Sequence, residues 1–141
     1  MFDGLLLVDK PSGLTSHDVV DAVRHRFGIR RVGHGGTLDP AATGLLVLLI
    51  GPATRRADFL LTAEKRYRAT LRLGIATDTQ DAEGRIIATR EVPPFSLHAL
   101  EKTFACFVGD IEQEIPAYSA VRIHGKRSYE LARAGVVISP T

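Results

Sequence analysis

The 141-residue chain has a single cysteine, no tryptophan, one methionine and no long apolar run. One cysteine, Cys106, excludes an internal disulfide, and no Cys/His cluster carries zinc spacing. The longest apolar stretch, residues 45–50, falls far short of the ~20 residues needed to span a bilayer. The N-terminus lacks the basic region and cleavage site of a secretory signal. Composition therefore points to a soluble, metal-free domain of a reducing compartment. At 45% hydrophobic and 24% charged residues the chain is globular, and its length suits one domain.

Several chemical signatures are also missing. The segment from Asp78 to Gly84 misses a calcium loop, because its glycine stands one place late and Thr89 occupies the position of the closing glutamate. It reads as a solvated turn. The glycine-rich stretch before residue 45 is followed by no Gly-Lys-Ser/Thr, so it is not a P-loop. No Pro-Cys-x-x-Cys of a zinc deaminase occurs, and Ser119 has no base partner evident for a hydrolase triad.

What is present is an uneven charge. Residues 1–72 hold eleven Lys/Arg against seven Asp/Glu, whereas 73–141 hold seven against nine. A basic half suits a polyanion, because cations that neutralise phosphates release condensed counterions, although such residues also simply solvate a face.

Hydrophobic patterning predicts a buried strand over 4–8, then a helix capped by Thr15-Ser16 with Val19, Val20, Val23 and Phe27 on its apolar side and Gly28 as terminator. Arg24, His25, Arg26, Arg30 and Arg31 form a basic helix end and loop. A glycine-rich loop over 33–44 precedes a strand over 45–50 and a short helix over 53–61. Residues 65–73 alternate, with Tyr67, Ala69, Leu71 and Leu73 on one face, and predict a half-buried strand. A partner strand over 85–89 and a Ser96-capped helix follow, whose stripe includes Leu97, Leu100, Phe104 and Phe107 and which holds Cys106 as a packing residue. Short strands over 111–115, 118–124 and 136–138, a turn at Gly125-Lys126 and a helix over 128–134 complete the reading. The fold class is α+β, with a mixed, largely antiparallel sheet flanked by helices.

Asp39 before Pro40 fits a helix or turn cap, but on a glycine-rich loop between basic segments it also fits a fixed nucleophile or base facing an anionic polymer. His34 on the same loop is a base, a wedge or an ordinary loop residue. Tyr67 is a core residue by its strand position, or a stacking platform by its neighbours Lys65, Arg66 and Arg68.

Taken together, these residues resemble the TruB-type tRNA pseudouridine synthases. The resemblance is carried by the run from Gly4 to Asp9-Lys10-Pro11 with Thr15-Ser16-His17-Asp18, and by the string from Gly33-His34-Gly35-Gly36 through Thr37-Leu38-Asp39-Pro40 to Gly44. Lys65-Arg66-Tyr67-Arg68, the loop from Thr77 to Gly84, the run from Pro116 to Val121 and that from Gly125 to Glu130 add to it. Arg122 and Arg55 stand where the family often has lysine.

The resemblance implies a pseudouridine synthase-like catalytic domain that isomerises uridine 55 in the T-loop of tRNA, without cofactor, metal or obligate protein partner. Asp39 would be the catalytic aspartate, attacking the uracil ring, attacking the ribose or removing the C2′ proton. Tyr67 would stack on the flipped uracil and transfer a proton, and His34 would enter the space the nucleotide leaves. Lys10 with Pro11 would brace the loop and belongs with the RNA-binding set. Arg30, Arg31, Lys65, Arg66 and Lys126 are phosphate contacts by charge. Family members continue into a second catalytic half, whose arginine pairs with the aspartate, and usually into a C-terminal RNA-binding domain. Residues 1–141 are thus expected to be the N-terminal part of such an enzyme. The alternatives are a non-catalytic RNA-binding fragment and a subunit of guide-RNA-directed pseudouridylation.

Overall fold

A computed structural model describes residues 3–112, together with the backbone of 122–123 and 126–127. The chain divides into two compact units, Met1–Arg68 and Ala69–Thr141.

In the first unit, β1 (Gly4–Lys10), β2 (Val32–His34) and β3 (Gly44–Ile50) form an antiparallel sheet in the order β1-β3-β2. The register runs from Gly4 opposite Ile50 to Lys10 opposite Gly44, and His34 lies opposite Leu48. Helix α1 (Ser16–Phe27) covers one face of this sheet. Its start is set by a capping box, in which the Thr15 hydroxyl accepts from the Asp18 N–H and the Asp18 carboxylate accepts from the Thr15 N–H at 2.8 Å and its hydroxyl at 2.7 Å. Those bonds, the hydroxyl first, hold the Asp18 carboxyl below its ordinary value of 3.8. Gly28 ends the helix at φ 64°, the left-handed conformation in which a Cβ is unfavourable.

The core lies between Val19, Val20 and Val23 of α1 and Val32, Leu46 and Leu48 of the sheet, with Leu6, Val8, Ile29 and Leu38 at its margin. Each such side chain contributes about 1.5–3 kcal/mol when fully buried. Arg24 stitches α1 to β2 by donating to the Val32 carbonyl at 2.8 Å, while its other nitrogen meets Asp21 at 2.9 Å.

Several expectations change here. The first strand is half-buried instead of buried: Leu6 and Val8 face the core, whereas Leu5 and Leu7 are 59% and 65% exposed. Among the described residues α1 packs on the face of Leu6 and Val8, and the face of Leu5 and Leu7 is left largely open, so an apolar run does not guarantee two buried faces. Phe27, at helical spacing from Val23, is also largely exposed. The short helix is a 3-10 turn over Gly51–Arg56 followed by α2 (Ala57–Leu61). His34 stands at the end of β2, not on the loop.

Residues 65–73 form no strand, and Tyr67 is 71% exposed instead of packed in a core. Alternation creates a face, but a strand also needs a neighbour for its backbone N–H and C=O groups, and no described strand pairs with this one.

In the second unit, β4 (Ile75–Thr77) pairs antiparallel with β5 (Ile86–Thr89). The loop between them is a polar turn, as its composition predicts. The Asp81 carboxylate accepts from the Thr79 hydroxyl and the Glu83 and Gly84 amides, and these bonds, Thr79 first, lower its pKa. Ser96 caps α3 (Leu97–Ala105) through the Ala99 N–H at 3.1 Å. Cys106 lies just past this helix and is exposed, so it is not a packing residue. Strands β6 (Arg122–Ile123) and β7 (Lys126–Arg127) pair antiparallel with Lys126 opposite Ile123, so Lys126 begins a strand, and Gly125 of the expected turn lies outside the described residues. Ser119 and the elements expected over 128–134 and 136–138 lie outside the described residues, as does most of that over 111–115.

Candidate functional site

The loop of residues 35–43 joins β2 to β3 at the end of the sheet where Lys10 faces Gly44. Two anchors grip it on either side of Asp39. Lys10 is 0% exposed, and its ammonium donates to the carbonyls of Pro11 at 2.9 Å, Leu14 at 2.7 Å and Pro40 at 3.2 Å. The Gly13 N–H donates to the same Pro40 carbonyl at 2.8 Å. On the other side the Ser16 hydroxyl accepts from the Leu38 N–H at 2.8 Å and reaches the Leu38 carbonyl at 3.2 Å.

Asp39 itself is exposed. Its turn is closed through the backbone, the Ala42 N–H donating to the Asp39 carbonyl at 3.1 Å. No described group donates a hydrogen bond to its carboxylate, so the capping expected from Asp-Pro is not made by the side chain. A free carboxylate on a loop tied at both neighbours is suited to attack or to take a proton.

Beside this loop is a concavity of about 420 Å³, within the usual size of small-molecule sites. It is lined by Leu45, Leu46 and Val47 of β3, by Gly35–Leu38 of the loop, and by Leu60 with residues 63–67. Gly35 is needed for this lining. A Cβ there would stand 2.6 Å from Leu60 Cδ1, so only glycine lets α2 approach the loop so closely. Tyr67 lines the concavity and Asp39 does not; the aspartate follows directly on Thr37 and Leu38, which do.

The other candidates are dispersed. The Lys65 ammonium donates to the carbonyls of Leu60, Leu61 and Ala63, at 3.3, 2.7 and 2.9 Å, and so caps the end of α2. Arg66 lies 3.3 Å from Glu64, both largely exposed, a contact of little energetic weight. His34 is half-buried, and its Nδ1 is enclosed without a hydrogen-bond partner. Arg30 and Arg31 are exposed beyond α1, and Arg31 donates to the Thr54 hydroxyl at 2.7 Å. Arg24, His25 and Arg26 occupy the last turn of α1, where positive charge complements the helix dipole. The side chain of Lys126 lies outside the described residues.

Two residues escaped the sequence reading. Ser16 is visible there only as part of a helix start, and nothing in its spacing announces a partner 22 residues away. Leu60 is an apolar residue of a short helix, and only its contact with Gly35 marks it.

The chain spans about half the length of the curated relatives it matches. It is 48% identical to a tRNA pseudouridine synthase B of Opitutus terrae, over 94% of this chain and 55% of that one. It is 50% identical to those of Geobacillus thermodenitrificans and Gluconacetobacter diazotrophicus, over 96% and 94% of this chain and 45% and 43% of theirs. A solved Cbf5–Nop10–Gar1 complex contains a chain superposing at a TM-score of 0.55, with 27% identity over 84% of this chain and 31% of that one. The model of the TruB family pseudouridylate synthase, N-terminal domain, matches residues 24–140. With that match and the gripped aspartate loop, the chain belongs to the TruB family of pseudouridylate synthases.

Proposed function

We propose that the chain is the aspartate-bearing part of a cytoplasmic tRNA pseudouridine synthase that isomerises uridine 55 in the T-loop. The observation that carries the reading is Asp39, exposed between two anchored neighbours and adjoining a concavity of about 420 Å³ that Tyr67 helps to line. A uridine turned out of its loop would place its base there. Eversion costs a few kcal/mol, least where stacking is already imperfect.

In the reaction the C1′–N1 bond breaks, the base turns, and a C1′–C5 bond forms. The C5 proton leaves and N1 gains one, so atoms balance without a redox partner. Asp39 supplies the carboxylate, whether it attacks the ring, attacks the ribose or takes the C2′ proton. The Tyr67 phenol stacks on the uracil and serves proton transfer at C5. His34 would fill the space vacated in the RNA. Arg30, Arg31, Arg66 and Lys126 contact phosphates, and Lys65 adds its charge from the end of α2; Lys10 acts on the RNA through the loop it braces. Substrate contacts extend over the T-loop and stem, and no obligate protein partner is needed.

The remaining half of such an enzyme would complete the site, so the test joins residues 1–141 to the second half of the Geobacillus thermodenitrificans relative. This fusion should release tritium from tRNA labelled at uridine C5, and Asp39→Asn should abolish release while leaving tRNA affinity within about threefold. Equal loss of affinity and turnover would count against a chemical role for Asp39. Activity appearing only with an added guide RNA would favour the guide-directed reading instead.

A further inference from the structure

The residue before the aspartate is held in an unusual way. Leu38 lies in no strand, yet both its backbone groups are satisfied by one side chain, the Ser16 hydroxyl, at 2.8 Å from its nitrogen and 3.2 Å from its oxygen. Among the described residues no other hydrogen bond reaches the backbone of residues 36–38; the preceding tie is Gly35 N–H to the Val47 carbonyl at 2.9 Å. Ser16 is itself 2% exposed, at the first position of α1, where the capping box of Thr15 and Asp18 fixes the backbone. A hydroxyl is the smallest group that both donates and accepts through one atom.

We infer that Ser16 is a positioning residue for Asp39, transmitting the fixed start of α1 to the loop so that the carboxylate is aimed before substrate arrives. This rests on the proposed function. Ser16 does not touch the reacting atoms; it sets the backbone from which Asp39 projects. Lys10 and Gly13 set the following residue and Gly35 is tied to Val47, so losing Ser16 leaves residues 36–38 with no tie of their own and free to pivot between those points. A misplacement of the order of 1 Å in a reacting group costs about 100-fold in rate.

The test compares Ser16→Thr with Ser16→Val, which share a shape and differ in the hydroxyl. In the fusion described above, Ser16→Thr should keep kcat within about threefold of the parent, and Ser16→Val should lose about 100-fold with KM within about twofold. In the 141-residue chain itself, the Leu38 amide should exchange at least about tenfold faster in Ser16→Val than in Ser16→Thr, with Leu48 unchanged. Equal kcat in the two variants, or a Leu38 amide indifferent to the hydroxyl, would overturn the assignment. A loss carried by KM, or by exchange throughout the sheet, would make Ser16 a plain packing residue and overturn it as well. An inactive parent fusion would defeat the functional reading, and Leu38 exchange would still decide whether Ser16 holds the loop.

Discussion

The Lys10 ammonium lies 3.2 Å from the carbonyl of Pro40, a residue 30 positions away and next to Asp39. The charge is fully buried and engages three carbonyl oxygens, so it serves as a rivet between the end of β1, the turn after it and the aspartate loop. An ammonium suits this place because it offers three donors from one compact point.

Lys10→Met should therefore lower stability by about 2 kcal/mol, since hydrogen bonds to a charged group are stronger than average and their acceptors would be left buried. The urea midpoint of the chain should fall with an unchanged slope. A midpoint within error of the parent would show that the three carbonyls are satisfied by water.

Tyr67→Phe should preserve stacking and remove proton transfer. The fusion should bind tRNA within about twofold of the parent and lose most of its turnover. Near-normal tritium release would remove the phenol from the mechanism and leave the ring as a platform.

Replacing Arg30 and Arg31 together by alanine should weaken tRNA binding and reduce the slope of log K against log salt by up to ~2. Arg31 also donates to Thr54, so the single Arg30→Ala variant separates phosphate contact from local structure. An unchanged slope would move the RNA footprint elsewhere.

The acid side of the stability profile should carry the mark of Asp18. Its folded-state pKa is depressed from 3.8 by bonds from Thr15. The stabilisation it adds is therefore present above the unfolded value and lost as pH falls through the folded one. Thr15→Ala should lower the melting temperature by about 4 °C at pH 7. That gap should narrow as pH falls below 3.8 and through the lower folded-state value, where the parent also loses its ionised carboxylate. A gap constant across this range would exclude the bond from the Thr15 hydroxyl to the Asp18 carboxylate as its source.

Local signals are decisive where the chain meets its own neighbours. Thr15, Asp18, Gly28 and Ser96 act within one helical turn of where they stand, so the sequence positions them directly. Structure departs from local pattern where a second surface is required. Among the described residues Tyr67 and its alternating neighbours have no partner strand, and Leu5 and Leu7 have no covering layer. Cys106, expected to pack inside α3, lies exposed just past its end.

From the sequence alone came the α+β class, the family resemblance and the candidacy of Asp39, because periodicity, caps and a specific string of small residues are properties of consecutive positions. The tertiary structure alone decided that Lys10 and Ser16 grip the two neighbours of that aspartate, and that Gly35 admits Leu60. Those relations join residues 22 to 30 positions apart, and Gly35 to a second helix. Whether such groups meet depends on how the antiparallel strands are registered, a geometry that no short window of residues contains.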